Sequence, residues 1–177
     1  KTLTSLMGAC LSNDRADLGA EVYKRIDKPD GYAMAQGLKA LCRAGDLLSA
    51  AKVLSTQKRG SRALSGKQLM QGYETIITAA LKDRDYDMAR TMFTELLAKS
   101  YIPSKATLRT IIGAMGLSAR GRLVLEYKER DAEQFQYLLF LIDSIQQRKL
   151  PVDSYLYSAA IVCGNQLGER YKELAML

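Results

Sequence analysis

The stretch YETIITAALKDRDYDMARTMFTELLAKSYIPS, running from Tyr73 to Ser104, decides the fold. Ile76, Ile77, Ala80 and Leu81 recur at the spacing of one helical face, and the polar run KDRDYD (82–87) interrupts them. Met88, Ala89, Met92, Phe93 and Leu96 then resume helical spacing. Ile102-Pro103-Ser104 ends the unit, as a proline shortly after a helix does. Two helices this short cannot each bury an apolar stripe alone, but stacked hairpins cover one another.

Working outward, the same frame returns. Met7 to Tyr23, Leu38 to Leu54, Ile77 to Phe93 and Ile161 to Leu177 are each a step of 16. Each pair joins an apolar residue of a first helix to one of a second. Ile112 to Ile142 is a step of 30, the same unit with 14 extra residues. The prolines close units at KPD (28–30), IPS (102–104) and LPVD (150–153). The units run approximately over 1–31, 32–70, 71–105, 106–154 with an insertion near 118–131, and a truncated 155–177. This pattern predicts an all-α fold, a superhelical solenoid of stacked antiparallel helix-turn-helix repeats with first helices lining the concave side. It buries Leu38, Leu54, Ile77, Ala89, Phe93 and Ile112.

Composition narrows the function. Hydrophobic residues are 47% and charged residues 25% of the 177, enough for a core and a solvated surface. Lys plus Arg is 26 against 19 Asp plus Glu, giving a formal charge of +7. That excess suits a polyanionic partner and equally an ordinary basic surface. Cys10, Cys42 and Cys163 lack metal or disulfide-framework spacing and read as small hydrophobes. They point to a reducing compartment. The longest apolar run, YLLFLI (137–142), is too short for a membrane span, and no targeting segment is visible. Starting at Lys1 and stopping at Leu177 within a helical pattern, the sequence reads as a piece of a longer protein.

The chain has no histidine, which removes the commonest general base and most zinc sites. Asp83, Asp85 and Asp87 cluster at a turn and helix start, where they suit capping and the helix dipole. The reading is a non-catalytic protein with no cofactor, no metal and no small-molecule substrate.

LCRAGDLLSAAKVL (41–54), YETIITAALKDRDYDMARTMF (73–93), TLTSLMGACLSNDRADLGAEVY (2–23) and YSAAIVCGNQLGERYKELAML (157–177) resemble pentatricopeptide repeats. Gly45 and Ala50, Ala89, and the Pro29-Asp30 ending match that family's turn glycine, mid-helix alanine and terminal Pro-Asp. The Trp and late-helix Pro of tetratricopeptide repeats are missing. The resemblance implies an RNA-binding module of a chloroplast, or alternatively a mitochondrion, acting in organellar RNA metabolism or gene expression. One repeat then reads one base with two or three side chains. The resemblance assigns reading roles to Thr4 with Asp30, Ala35, Glu74 with Ser104, Arg109 with Asp153, and Ser158. Thr4 with Asp30 fits a purine-reading pair. Glu74 sets a negative charge toward a nucleic acid, and Arg109 is large for a base-edge slot. These departures leave a second reading open: a non-catalytic scaffold subunit of a large organellar transcription or translation complex.

Two irregular segments bear on partners. QKRGSRALSGKQ (57–68) carries Lys58, Arg59, Arg62 and Lys67 with no acid, and reads as a linker whose bases meet solvent or phosphates. Its GSRALSGKQ mimics a phosphate loop, but five residues part Gly60 from Gly66 and Gln68 stands where Ser or Thr is required. SARGRLVLEYKERDAEQ (118–134) puts seven charges between Arg120 and Asp131. It reads either as an extension of the hairpin helices or as a protruding loop, and serves as a tolerated insertion or a docking element. Tyr23, Tyr73 and Tyr157 occupy frame positions and read as packing residues.

Overall fold

The computed structural model describes residues 2–56, 64–115, 128–150, 152 and 154–167. Among these residues there are nine α-helices and no strand. They are α1 (Thr2–Ser12), α2 (Ala16–Lys24), α3 (Gly31–Arg43), α4 (Leu47–Ser55), α5 (Gly66–Lys82), α6 (Tyr86–Ala98), α7 (Lys105–Ala114), α8 (Lys128–Gln147) and α9 (Ser154–Gln166). The all-α expectation is met. The chain divides into two compact units, Lys1–Ala80 and Leu81–Leu177.

Short side-chain caps start the helices. Asp30, Asp46, Asp85 and Ser104 accept hydrogen bonds from the backbone N–H of Ala33, Ser49, Met88 and Thr107 at 2.7, 3.2, 2.9 and 3.1 Å. Each satisfies one of the N–H groups that a helix start leaves without an internal partner. Asp85 therefore caps α6 and Asp87 lies in its first turn, as the sequence indicated. Helix ends are equally regular. Asp14, Gly45, Arg84, Ser100 and Lys149 adopt left-handed backbone, with φ of 54°, 79°, 61°, 62° and 55°. The residue after four of them bonds back five residues: Arg15 to Cys10 at 2.9 Å, Asp46 to Leu41 at 2.9 Å, Tyr101 to Leu96 at 3.2 Å and Leu150 to Ile145 at 3.2 Å. This closure returns a partner to the last carbonyls.

In the first unit, α1 packs on α2 and α3, α2 on α3, and α3 on α4. Leu38, Leu54, Ile76, Ile77 and Tyr73 are fully buried there. Gly72 of α5 faces Leu54 and Leu38: a Cβ there would lie 2.9 and 3.1 Å from their methyl carbons. At Gly37, an added Cβ would overlap the Tyr23 ring, so the missing side chain is what lets α2 lie close on α3. In the second unit, α6 packs on α8, α8 on α9, and α7 on α9. Phe93 meets Phe140 edge-on at 6.1 Å, Tyr137 lies 5.8 Å from Phe140 and 6.0 Å from Tyr86, and Arg90 covers Phe140 at 5.4 Å. The Gln134 side-chain amide donates to the Met115 carbonyl at 3.1 Å, tying α8 to the end of α7. Each fully buried Leu, Ile or Phe contributes about 1.5–3 kcal/mol.

Both units share one contact rule. First helices lie beside first helices (α1 with α3, α7 with α9), and a second helix touches the next first helix (α2 with α3, α8 with α9). All six predicted core residues are buried: Leu38, Leu54, Ile77, Ala89, Phe93 and Ile112. Cys42 and Cys163 are buried and Cys10 is half-buried. Burial pushes the Cys42 thiol up to about 12, so it stays protonated and inert.

Three details sharpen or correct the sequence reading. The helix of the third hairpin begins at Gly66, not near Gln71, because Ser65 and Gln68 cap each other's backbone N–H at 3.3 and 2.9 Å. Lys67 thus belongs to a helix, not to a linker. Residues 128–131 of the insertion form the start of the 20-residue α8, while residues 118–127 lie outside the described residues. In α9 the buried stripe is Leu156, Ala160 and Cys163, which leaves the frame residues Tyr157 and Ile161 at 41% and 45% exposure.

Candidate nucleic-acid interface

The repeat register can be measured from the turns. Thr4, Ala35 and Glu74 each precede a left-handed turn residue (Asp14, Gly45, Arg84) by ten positions. Ala35, Arg109 and Ser158 are each the fifth residue of their helix. All five candidate reading residues therefore occupy one helical position on α1, α3, α5, α7 and α9. Glu74 obeys the turn register but not the helix count, because α5 carries about one extra turn at its start.

Their surroundings differ. Thr4 is half-buried on α1, which lies beside α3. Asp30 and Ser104 sit immediately before α3 and α7, and their side chains are the caps described above. The Ser104 hydroxyl also shares a hydrogen bond with Thr107 Oγ1 at 3.1 Å. Ala35 lies half-buried in a shallow groove with Lys39, Gln68, Gln71 and Thr75. Glu74 is half-buried. Arg109 is exposed and its guanidinium lies over the Tyr155 ring, 5.5 Å from the centroid. Ser158 is exposed one turn further along α9 from Tyr155. Lys67 is exposed in the first turn of α5. Lys58, Arg59, Arg62 and Asp153 lie outside the described residues.

Charge separates by helix class. The first helices α1, α3, α5, α7 and α9 carry Lys39, Arg43, Lys67, Lys82, Lys105 and Arg109 against a single acid, Glu74. The second helices α2, α4, α6 and α8 carry eight acids, Asp17, Glu21, Asp87, Glu95, Glu129, Asp131, Glu133 and Asp143, against five bases. On α2, one of these bases is paired. Lys24 lies 3.1 Å from Asp46 and 3.6 Å from Glu21, and its hydrogen bond to Asp46 raises its pKa. Asp46 is held below the usual carboxylate range, first by its bond to Ser49 and then by Lys24. An excess of basic side chains attracts phosphates, and mixed charge does so less.

The sequence reading missed Lys39, Tyr155 and this segregation. Lys39 follows Ala35 by one helical turn, and Tyr155 precedes Ser158 by three residues, so both signals were present once the helix starts were fixed. Among the described residues no group of three or more His, Cys, Asp or Glu is placed to hold a metal ion, and no helix is long and apolar enough to cross a membrane. No protein-family model matches the chain, and no curated protein matches it either.

Proposed function

We propose that this chain is a non-catalytic, pentatricopeptide-like repeat array whose first helices line the concave side of a superhelix and hold single-stranded RNA. The observation that carries the proposal is the charge segregation: five first helices with six bases and one acid, set against acid-rich second helices. The common register of Thr4, Ala35, Glu74, Arg109 and Ser158 on those same helices supports it. An organellar setting, a chloroplast before a mitochondrion, and a role in RNA metabolism or gene expression follow from the family resemblance alone.

The grip is mainly electrostatic. Lys and Arg neutralise phosphates and release counterions, so the log-log salt slope is about −0.7 per phosphate contacted on a single strand. Selectivity is low, because Thr4 with Asp30 is the one pair suited to choosing a base. The test is a titration of the chain with homopolymer RNAs at two salt concentrations. Binding that weakens with salt and differs little between homopolymers is expected. Replacing Lys39, Lys67 and Lys105 together flattens the salt slope, and replacing Lys52 on α4 leaves it unchanged. Replacing Lys58, Arg59 and Arg62 weakens all RNAs alike.

A second reading, a scaffold subunit of a large organellar transcription or translation complex, is favoured by large apolar side chains left in solvent. Leu48, Tyr32 and Ile102 are 75%, 61% and 60% exposed. It takes over if no RNA binds at low salt while a co-purifying protein holds the Arg120–Asp131 segment.

A further inference from the structure

Arg109 occupies the same helical position as Thr4 and Ala35, yet its side chain does not project alone. It reaches from α7 to α9, where its guanidinium covers the Tyr155 ring at 5.5 Å. A guanidinium from α7 and an aromatic ring from α9 are thus brought together across the two helices, Arg109 exposed and Tyr155 half-buried. α7 and α9 carry no acid, and Lys105 stands one turn from Arg109 on α7, itself exposed.

We infer that the Arg109–Tyr155 stack is a docking platform for one unpaired nucleobase. The inference rests on the RNA-binding reading and says what this position does within it: it stacks a base and does not read one. A guanidinium plane accepts a base face as an aromatic ring does, and this kind of stacking tolerates every base because each has a π-face. The Tyr155 ring holds the guanidinium plane in place, since Arg both stacks on aromatics and keeps its donors in a fixed plane. Lysine at 109 would keep the charge and lose the plane.

The test uses the whole chain and fluorescently labelled oligoadenylate and oligouridylate, with binding read by anisotropy. Arg109→Lys and Tyr155→Leu are each expected to weaken both RNAs about 10-fold, the scale of one lost base stack. Tyr155→Phe, which keeps the ring, is expected to bind as the unsubstituted chain does. Arg109 is exposed, so Arg109→Lys folds, and helical circular dichroism checks that it does. Unchanged affinity in Arg109→Lys overturns the stacking platform and leaves RNA binding standing. A loss in Tyr155→Phe equal to that in Tyr155→Leu overturns it too, by assigning the effect to the hydroxyl. If the unsubstituted chain binds neither RNA, the functional reading falls and the platform with it.

Discussion

The same substitution, glycine to alanine, should have opposite signs at two positions of the first unit. Gly8 lies inside α1, and a Cβ there would meet nothing within 4 Å. Alanine at this position gains about 1 kcal/mol, because glycine loses more backbone freedom on entering a helix. Gly45 ends α3 with φ of +79°, and a Cβ there also meets nothing within 4 Å. Sterics between side chains are thus equal at the two sites, and only the backbone differs. Left-handed geometry costs an L-residue about 1–2 kcal/mol, offset by about 0.4–1 kcal/mol from the stiffer unfolded chain. Gly45→Ala should therefore lose about 0.5–1 kcal/mol. With a urea m-value of about 2 kcal/mol per molar, the midpoints move apart by roughly 0.8–1 M, Gly8→Ala upward and Gly45→Ala downward. Urea titrations followed by circular dichroism measure this directly. A Gly45→Ala midpoint at or above the unsubstituted one would refute the left-handed turn, and with it the register that places Ala35.

Further outcomes follow from the same contacts. Phe93→Ala, which removes a fully buried ring against Phe140, should cost about 3–5 kcal/mol in a melt, and a loss below about 1 kcal/mol would show the site collapses. The Asp46 carboxyl is depressed in the fold, so its stabilising effect is present above the ordinary carboxylate pKa and fades as pH falls through the lowered value. Asp46→Asn should flatten the acid side of the stability curve while leaving the cap in place, as melts at neutral and acid pH would register. Asp30→Asn should keep stability and change base preference at one position only. Asp30→Ala should lose about 1 kcal/mol from the cap as well, separable by pairing melts with RNA titrations.

Helix periodicity made the fold class and the core legible, because most helices here have one apolar side. It failed where that contrast vanishes. In α9 (SYLYSAAIVCGNQ) apolar residues lie all round, so nothing in the spacing favours Leu156 and Cys163 over Tyr157 and Ile161. The start of α5 was readable from Ser65 and Gln68, a capping box, but the basic run before it drew attention to charge instead of capping. Among the left-handed turn residues described, only Gly45 is a glycine that marks its place in the sequence. Arg84 fills the equivalent left-handed place with a residue that gives no such signal, and the Asp85 cap behind it was the usable cue. Of the candidate site, the positions of Thr4, Ala35, Arg109 and Ser158 could be reached by counting. The Arg109–Tyr155 contact could not, because it joins residues 46 positions apart in sequence.

The caps also bear on what such a site can distinguish. In two of the hairpin junctions the last residue of a unit is the N-cap of the following first helix: Asp30 for α3 and Ser104 for α7. A helix start leaves N–H groups to be satisfied, and Asp, Asn, Ser and Thr do this best. The junction thus restricts that position to short polar side chains whatever it faces. A carboxylate can serve both ends, since Asp30 spends Oδ1 on Ala33 and keeps a second oxygen with acceptor capacity. The Ser104 hydroxyl is already shared between the Thr107 N–H and the Thr107 hydroxyl, at 3.1 Å each, so little remains for a base edge. In the proposed RNA-binding role, the junction before α3 therefore has more hydrogen-bonding capacity to offer a base than the junction before α7. That difference arises from hydrogen bonding at a helix start, and under the proposed function it favours the first unit for base selection.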